Sequence, residues 1–140
     1  MTVDREKIRT KIQFLRESLG HLERIRSLGE EAFLSDPILQ AAAVRYLQVG
    51  IEAMLDIASH VIAREGLGAP ETYRQSMEVL LQNGILPADR SEAFLAMIGF
   101  RNRAVHLYES VDPREVARIL ESRLSDFEAF ISAVSRRYFS

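Results

Sequence analysis

The 140-residue chain contains no cysteine, and that one absence excludes a disulfide framework, thiolate zinc sites and cysteine nucleophiles. A reducing compartment is compatible with it. Long apolar runs are missing too. Nothing approaches the ~18 uninterrupted apolar residues of a membrane span, and the opening MTVDREKIRTKIQF is charged where a secretion signal would be apolar. A cytoplasmic protein is expected. There is no basic excess either, since 18 Lys and Arg stand against 20 Asp and Glu for a net charge of −2. Domains that coat nucleic acid through bulk charge are strongly basic, so any RNA contact must be local. Strand signals are nearly absent, and there is no internal repeat, Gly-rich phosphate loop or serine elbow.

What remains is 47% hydrophobic residues, enough for one domain over residues 1–140 that buries roughly two-thirds of its unfolded surface. Their spacing is helical. Ile8, Ile12, Leu15, Leu19 and Leu22 recur at three- and four-residue steps and predict a first helix ending near Leu28 and Gly29. Asp36-Pro37 reads as an N-cap and first-turn proline for a long second helix, whose stripe runs from Val44 through Leu47, Ile51, Met54, Leu55 and Ala58 to Ile62 before Gly66. A third is expected from about Glu71 to Asn83, and a fourth from Pro87–Glu92 onward with Phe94, Ile98 and Val105 inside. Asp112-Pro113-Arg114-Glu115 has the form of a capping box with proline at the first helical position. It opens a fifth helix with Val116, Ile119, Leu120, Phe127, Ile131, Val134 and Tyr138 inside. The expected fold is an all-α, antiparallel bundle of about five helices with short connections.

Some polar residues interrupt this pattern. At about 100° per residue, Arg101 falls in the middle of the Phe94–Ile98–Val105 stripe. Asn102 and His106, four apart, share the neighbouring face, so three polar groups are expected to face inward, while Arg103 points to the opposite, solvated side. On the second helix Gln48, Glu52, Asp56 and His60 follow at four-residue steps beside the apolar stripe, which makes Glu52 and Asp56 candidate supporting carboxylates for Arg101. A purely structural ion pair accounts equally well for a buried arginine, and the helix dipole for His60 near a helix C-terminus. The opening basic run Arg5, Lys7, Arg9, Lys11 and Arg16 reads as a solvated helix face. The basic residues are nearly all arginine, the side chain suited to paired phosphate contacts.

The stretch RNRAVHLY (Arg101 to Tyr108) resembles the signature of HEPN-domain proteins: an Arg, a polar residue, three variable positions and a His. It is closest in form to the HepT-like toxins, which add a Tyr two residues after the His. RYLQVGIEAMLDIASHVI (Arg45 to Ile62) and MIGFRNRAVHLYESVDPREVARIL (Met97 to Leu120) are similar in character to the same family. The resemblance covers nearly the whole chain. It implies a helical domain that forms a homodimer and acts as a metal-independent endoribonuclease toxin. Arg101, Asn102 and His106 match the catalytic motif, and Tyr108 matches the tyrosine that a minimal nucleotidyltransferase antitoxin modifies with AMP. The family also contains non-catalytic modules that bind a nucleotide or a nucleotidyltransferase, which stands as the alternative function.

The chemistry is consistent with that resemblance. RNA carries its own nucleophile, the 2′-hydroxyl, so an enzyme need only move protons and stabilise the phosphorane. His106 suits acid or base work, Arg101 can grip phosphate, and Asn102 can orient His106 or hold a phosphate. Five residues place Arg101 and His106 about 140° apart on a continuous helix, which favours a site shared between two chains or a helix that unwinds near His106. His21, His60 and His106 lack close ligand spacing, so neither a metal nor a cofactor is expected, and DNA is not an expected substrate. Tyr108, a poor base near neutrality, is expected to be an off-switch whose AMP adduct brings phosphate into the neighbourhood of Arg101.

Overall fold

The computed structural model describes residues 2–140. Among them are seven α-helices: α1 (Arg5–Ser27), α2 (Glu30–Leu34), α3 (Pro37–Glu65), α4 (Tyr73–Gln82), α5 (Ser91–His106), α6 (Pro113–Ser122) and α7 (Ser125–Phe139). Single 3-10 turns occupy Ala88–Arg90 and Tyr108–Ser110, and no strand is present among the described residues. No helix is long and apolar enough to cross a membrane.

The centre of the bundle is α3. Asp36 starts it by accepting from the backbone N–H groups of Ile38 and Leu39 at 2.9 and 3.3 Å, with Pro37 occupying the first turn. Gly66 ends it at a φ of +66°, in the left-handed region that glycine enters without strain. Between them α3 is buried on more than one side, and it packs against α1, α2, α4, α5 and α6. Gly50 permits a close approach of α1 and α7, because a Cβ there would lie 3.3 Å from a ring carbon of Phe127 and 3.4 Å from a methyl of Leu15. Phe94 and Phe130, both fully buried, meet edge to face with centroids 6.2 Å apart. Each such side chain contributes about 1.5–3 kcal/mol by leaving water.

Three sequence expectations change. The Glu30–Leu34 turn is an extra short helix that buries Phe33. The expected fifth helix is two, α6 and α7. Its stripe steps seven residues from Leu120 to Phe127, two full turns, so periodicity runs across the break unseen. At the break Leu124 is buried and Asp126 turns inward, only 4% exposed, where Arg90 and Arg123 hold it at 2.8 and 3.0 Å. A buried carboxylate requires such partners. The third change is Val105, expected inside but 38% exposed. The final turn of α5 instead buries Phe100 and Ala104, which continue a second stripe through Ala93 and Met97.

His60 has a structural role. It is 8% exposed and accepts a hydrogen bond from the Asp4 backbone N–H on Nε2 at 2.9 Å, tying the start of α1 to the last third of α3. Burial, then the nearby Lys7 and Arg64 charges, lower its pKa below the ordinary 6.5, against an opposing effect of Asp4. The accepting ring must stay neutral, because a protonated imidazole has two donors and no acceptor. The unfolded chain therefore binds this proton more readily than the folded one. Its stabilising contribution is complete above pH 6.5 and falls as pH drops below that value towards the lowered folded pKa. His60→Gln, which keeps an acceptor, should lose less melting temperature than the unaltered chain between about pH 7.5 and about pH 5.5. Equal losses in a thermal melt would refute this role.

Candidate active site

Helix α5 lies between two packed layers, and its two buried stripes reflect this. Ala93, Met97, Phe100 and Ala104 form one, and Phe94 and Ile98 the other. Arg101 continues the second stripe to the point where the core opens. Its side chain is 14% exposed. Nε donates to Glu52 Oε2 of α3 at 3.1 Å, Nη2 lies 3.1 Å from the same oxygen, and Nη1 donates to Asn102 Oδ1 at 3.2 Å. Gln48 Nε2 also donates to that Glu52 oxygen, at 3.3 Å. The ring of Tyr73, the first residue of α4, covers the guanidinium, with Cζ 4.8 Å from the ring centroid. A guanidinium has five N–H donors. These contacts engage it through Glu52 and Asn102 and leave donor capacity facing the opening.

That opening is a cleft of about 720 Å³ between the C-terminal part of α3, the connection 66–72, the start of α4 and the end of α5. Arg101, Asn102 and His106 all line it, as do Ser59, Arg74 and Ser76. Asn102 and His106 are exposed to the cleft and do not face inward as expected. The 140° separation also proves no bar to a shared cleft in one chain. Asn102 bridges the arc, and the helix ends at His106, since Leu107 leaves helical geometry at φ −135° and ψ 47°.

Of the two candidate supporting carboxylates, only Glu52 reaches Arg101. Asp56, one turn further along α3, pairs with Lys11 of α1 at 2.8 Å and is exposed. That contact also gives a partner to one of the basic residues read as purely solvated. Tyr108 stands outside the cleft. It is 54% exposed on the 3-10 turn after α5 and lines a separate groove of about 370 Å³ with Pro37, Gln40, Val44 and Val111. Within one chain the turn after His106 thus carries the tyrosine to a groove that Arg101 does not line.

Arg103, expected on the solvated surface, is half-buried. Its two terminal nitrogens donate to the two Glu115 oxygens at 2.7 Å each, with the guanidinium carbon 5.7 Å from the Phe100 ring centroid. Glu115 is thus spent on Arg103, and Asp112 alone caps α6 by accepting from the Arg114 N–H at 2.9 Å. The paired hydrogen bonds lower the pKa of Glu115 and raise that of Arg103. The Arg103 carbonyl also accepts from Leu107 N–H at 2.8 Å, so the pair anchors the turn of helix that presents His106. Sequence reasoning missed Glu115 as a partner and Tyr73 as a wall of the cleft. A Thr72 N-cap immediately before an aromatic residue was the available signal for the second.

The family described as Ribonuclease HepT-like matches residues 15–134. The chain belongs to the HepT-like ribonuclease family. It is 32% identical over 124 residues to the mRNA nuclease HepT of Shewanella oneidensis, across 89% of this chain and 92% of that protein. It is 24% identical over 128 residues to the tRNA nuclease HepT of Aphanizomenon flos-aquae, across 91% of this chain and 87% of that one. Among solved structures it resembles the tri-AMPylated HEPN toxin of Shewanella oneidensis in complex with its MNT antitoxin. The TM-score is 0.87 at 30% identity, covering 93% of this chain and 97% of that one. The all-helical HEPN fold of this HepT-like chain is thus shared over nearly its whole length.

The Arg103–Glu115 pair can be measured directly. A double-mutant cycle of Arg103→Met and Glu115→Gln, read by urea unfolding at neutral pH, should give a coupling on the order of 1 kcal/mol for a partly exposed bidentate pair. Glu115 titrates below its ordinary 4.5. The coupling is therefore present above that value and vanishes as the carboxylate protonates at lower pH. Additive single mutants at neutral pH would show that the pair anchors nothing.

Proposed function

We propose that this HepT-like chain is a metal-independent endoribonuclease, the cytoplasmic toxin of a toxin–antitoxin pair, with Arg101, Asn102 and His106 as its catalytic residues. The observation that carries the reading is the convergence of a guanidinium, an amide and an imidazole on one cleft, with the guanidinium held by Glu52 yet keeping free donors. RNA bound there places a phosphate on Arg101. A base removes the 2′-hydroxyl proton as the 2′-oxygen bonds to phosphorus, the bond from phosphorus to the 5′-oxygen breaks, and an acid protonates that oxygen. The products are a 2′,3′-cyclic phosphate and a 5′-hydroxyl end. Arg101 stabilises the charge gathered on the phosphorane oxygens, and Asn102 orients both Arg101 and substrate.

One His106 cannot conveniently serve both ends of the displacement, so a symmetric homodimer that brings two His106 side chains to one groove supplies a base and an acid. Single-stranded RNA should be cleaved, DNA left intact, and the rate unchanged by EDTA, because the nucleophile belongs to the substrate. His106→Ala and Arg101→Ala should each abolish cleavage and leave helical circular dichroism intact, with the protein sedimenting as a dimer. Cleavage that stops with EDTA and returns with a divalent ion would overturn the mechanism, and an active monomer would overturn the shared site.

The reading includes an antitoxin, a minimal nucleotidyltransferase that transfers AMP from ATP to the Tyr108 hydroxyl with release of pyrophosphate. Support comes from the exposure of Tyr108 on a turn two residues beyond His106 and from the AMPylated state of the similar Shewanella toxin. The added phosphate repels the RNA backbone as it approaches the end of α5. Tyr108→Phe should retain most cleavage activity and gain no AMP mass when incubated with the nucleotidyltransferase and ATP. Equal mass gain and equal silencing of the two forms would place the modification elsewhere.

A further inference from the structure

We propose that Tyr73 is a base-stacking platform in the substrate cleft, so that one nucleobase lies on its ring while the adjoining phosphate sits on Arg101. This deepens the ribonuclease reading and rests on it. Three observations carry it. The ring of Tyr73 has Arg101 at one side, Cζ 4.8 Å from the centroid, yet the residue remains 45% exposed. It lines the same cleft as Arg101, Asn102 and His106. Its backbone is rigid, because Thr72 caps α4 with Oγ1 accepting from Gln75 N–H at 3.1 Å while its carbonyl accepts from Ser76 N–H at 3.0 Å. A large aromatic surface held still beside a phosphate-gripping cation is the arrangement by which single strands are bound, since every base has a π-face and the backbone needs only a charge. Arg74, one residue further and 61% exposed, adds a second cation at the same lip of the cleft, with its Nε 4.0 Å from Glu78 one turn along α4. The cleft thus offers stacking and phosphate contact side by side.

Tyr73 also props the Arg101 guanidinium, so the test must separate stacking from propping. The ligands are two short 2′-O-methyl RNA oligonucleotides, which lack the nucleophilic hydroxyl and stay intact, one complete and one abasic throughout. For the complete oligonucleotide Tyr73→Leu should weaken binding roughly 5- to 100-fold, as loss of one stacked base does, while Tyr73→Phe binds as the parent does. For the abasic oligonucleotide the same Leu variant should change binding less than twofold. The chain has no tryptophan, so Tyr73→Trp introduces a single reporter, which the complete oligonucleotide should quench and the abasic one should not. Equal weakening of both ligands by Tyr73→Leu, or equal quenching by both, would reduce Tyr73 to a prop and overturn the proposal with the ribonuclease reading intact. If the unaltered chain neither binds the complete oligonucleotide nor cleaves RNA, the ribonuclease reading falls and the platform with it.

Discussion

The cleft depends on the contact between Arg101 of α5 and Glu52 of α3. A guanidinium this close to the core is costly unless paired, and removing the carboxylate would leave a nearly buried charge unanswered. Glu52 answers it with a single oxygen, which receives both the Nε and Nη2 side of the fork and the Gln48 amide. The geometry locks α5 against α3 at the mouth of the core and turns the remaining edge of the guanidinium outward. The ion pair and the candidate site are thus one arrangement: the same contact that makes Arg101 tolerable inside the fold aims it at the cleft.

The rest of the site is arranged around that fixed cation. Asn102 accepts from Arg101 on the adjoining face of the helix, Tyr73 covers the guanidinium from α4, and the Arg103–Glu115 pair holds the final turn from the side of α6. Three of the four polar residues ending α5 face the cleft and the fourth faces away into a bidentate clamp. The helix can therefore stop at His106 without loosening, because its last turn is fastened on both flanks.

Much of this was legible in the chain. Asp36-Pro37, Gly66 and Asp112-Pro113 mark real helix boundaries because capping is local chemistry that a short stretch fully specifies. Arg101 stood out because a charge in an apolar stripe demands a partner, and Glu52 was one of two residues at the right spacing. Which of the two served could not be read, since Lys11 of α1 claims Asp56 across 45 residues. Glu115 was misread for a related reason: a capping box predicts a local bond, and the nearby arginine offered a stronger one. Val105 failed because a single helical stripe was assumed where α5 has two. Tyr108 keeps its spacing from His106 in the sequence, but the change of backbone direction at Leu107 sends it to another groove.

The separation of the site residues along the chain also orders its assembly during synthesis. Glu52 and Tyr73 emerge first, and Arg101 follows Glu52 by 49 residues. A nascent chain ending before α5 has walls for the cleft and neither the cation nor the imidazole. One ending just after His106 has both, yet lacks the Phe130 ring that meets Phe94 and leaves Arg103 without Glu115. Domains fold as units when enough chain is available to bury their apolar faces. A fragment still held at the ribosome, surrounded by RNA, thus carries the motif before it has the means to hold it in place.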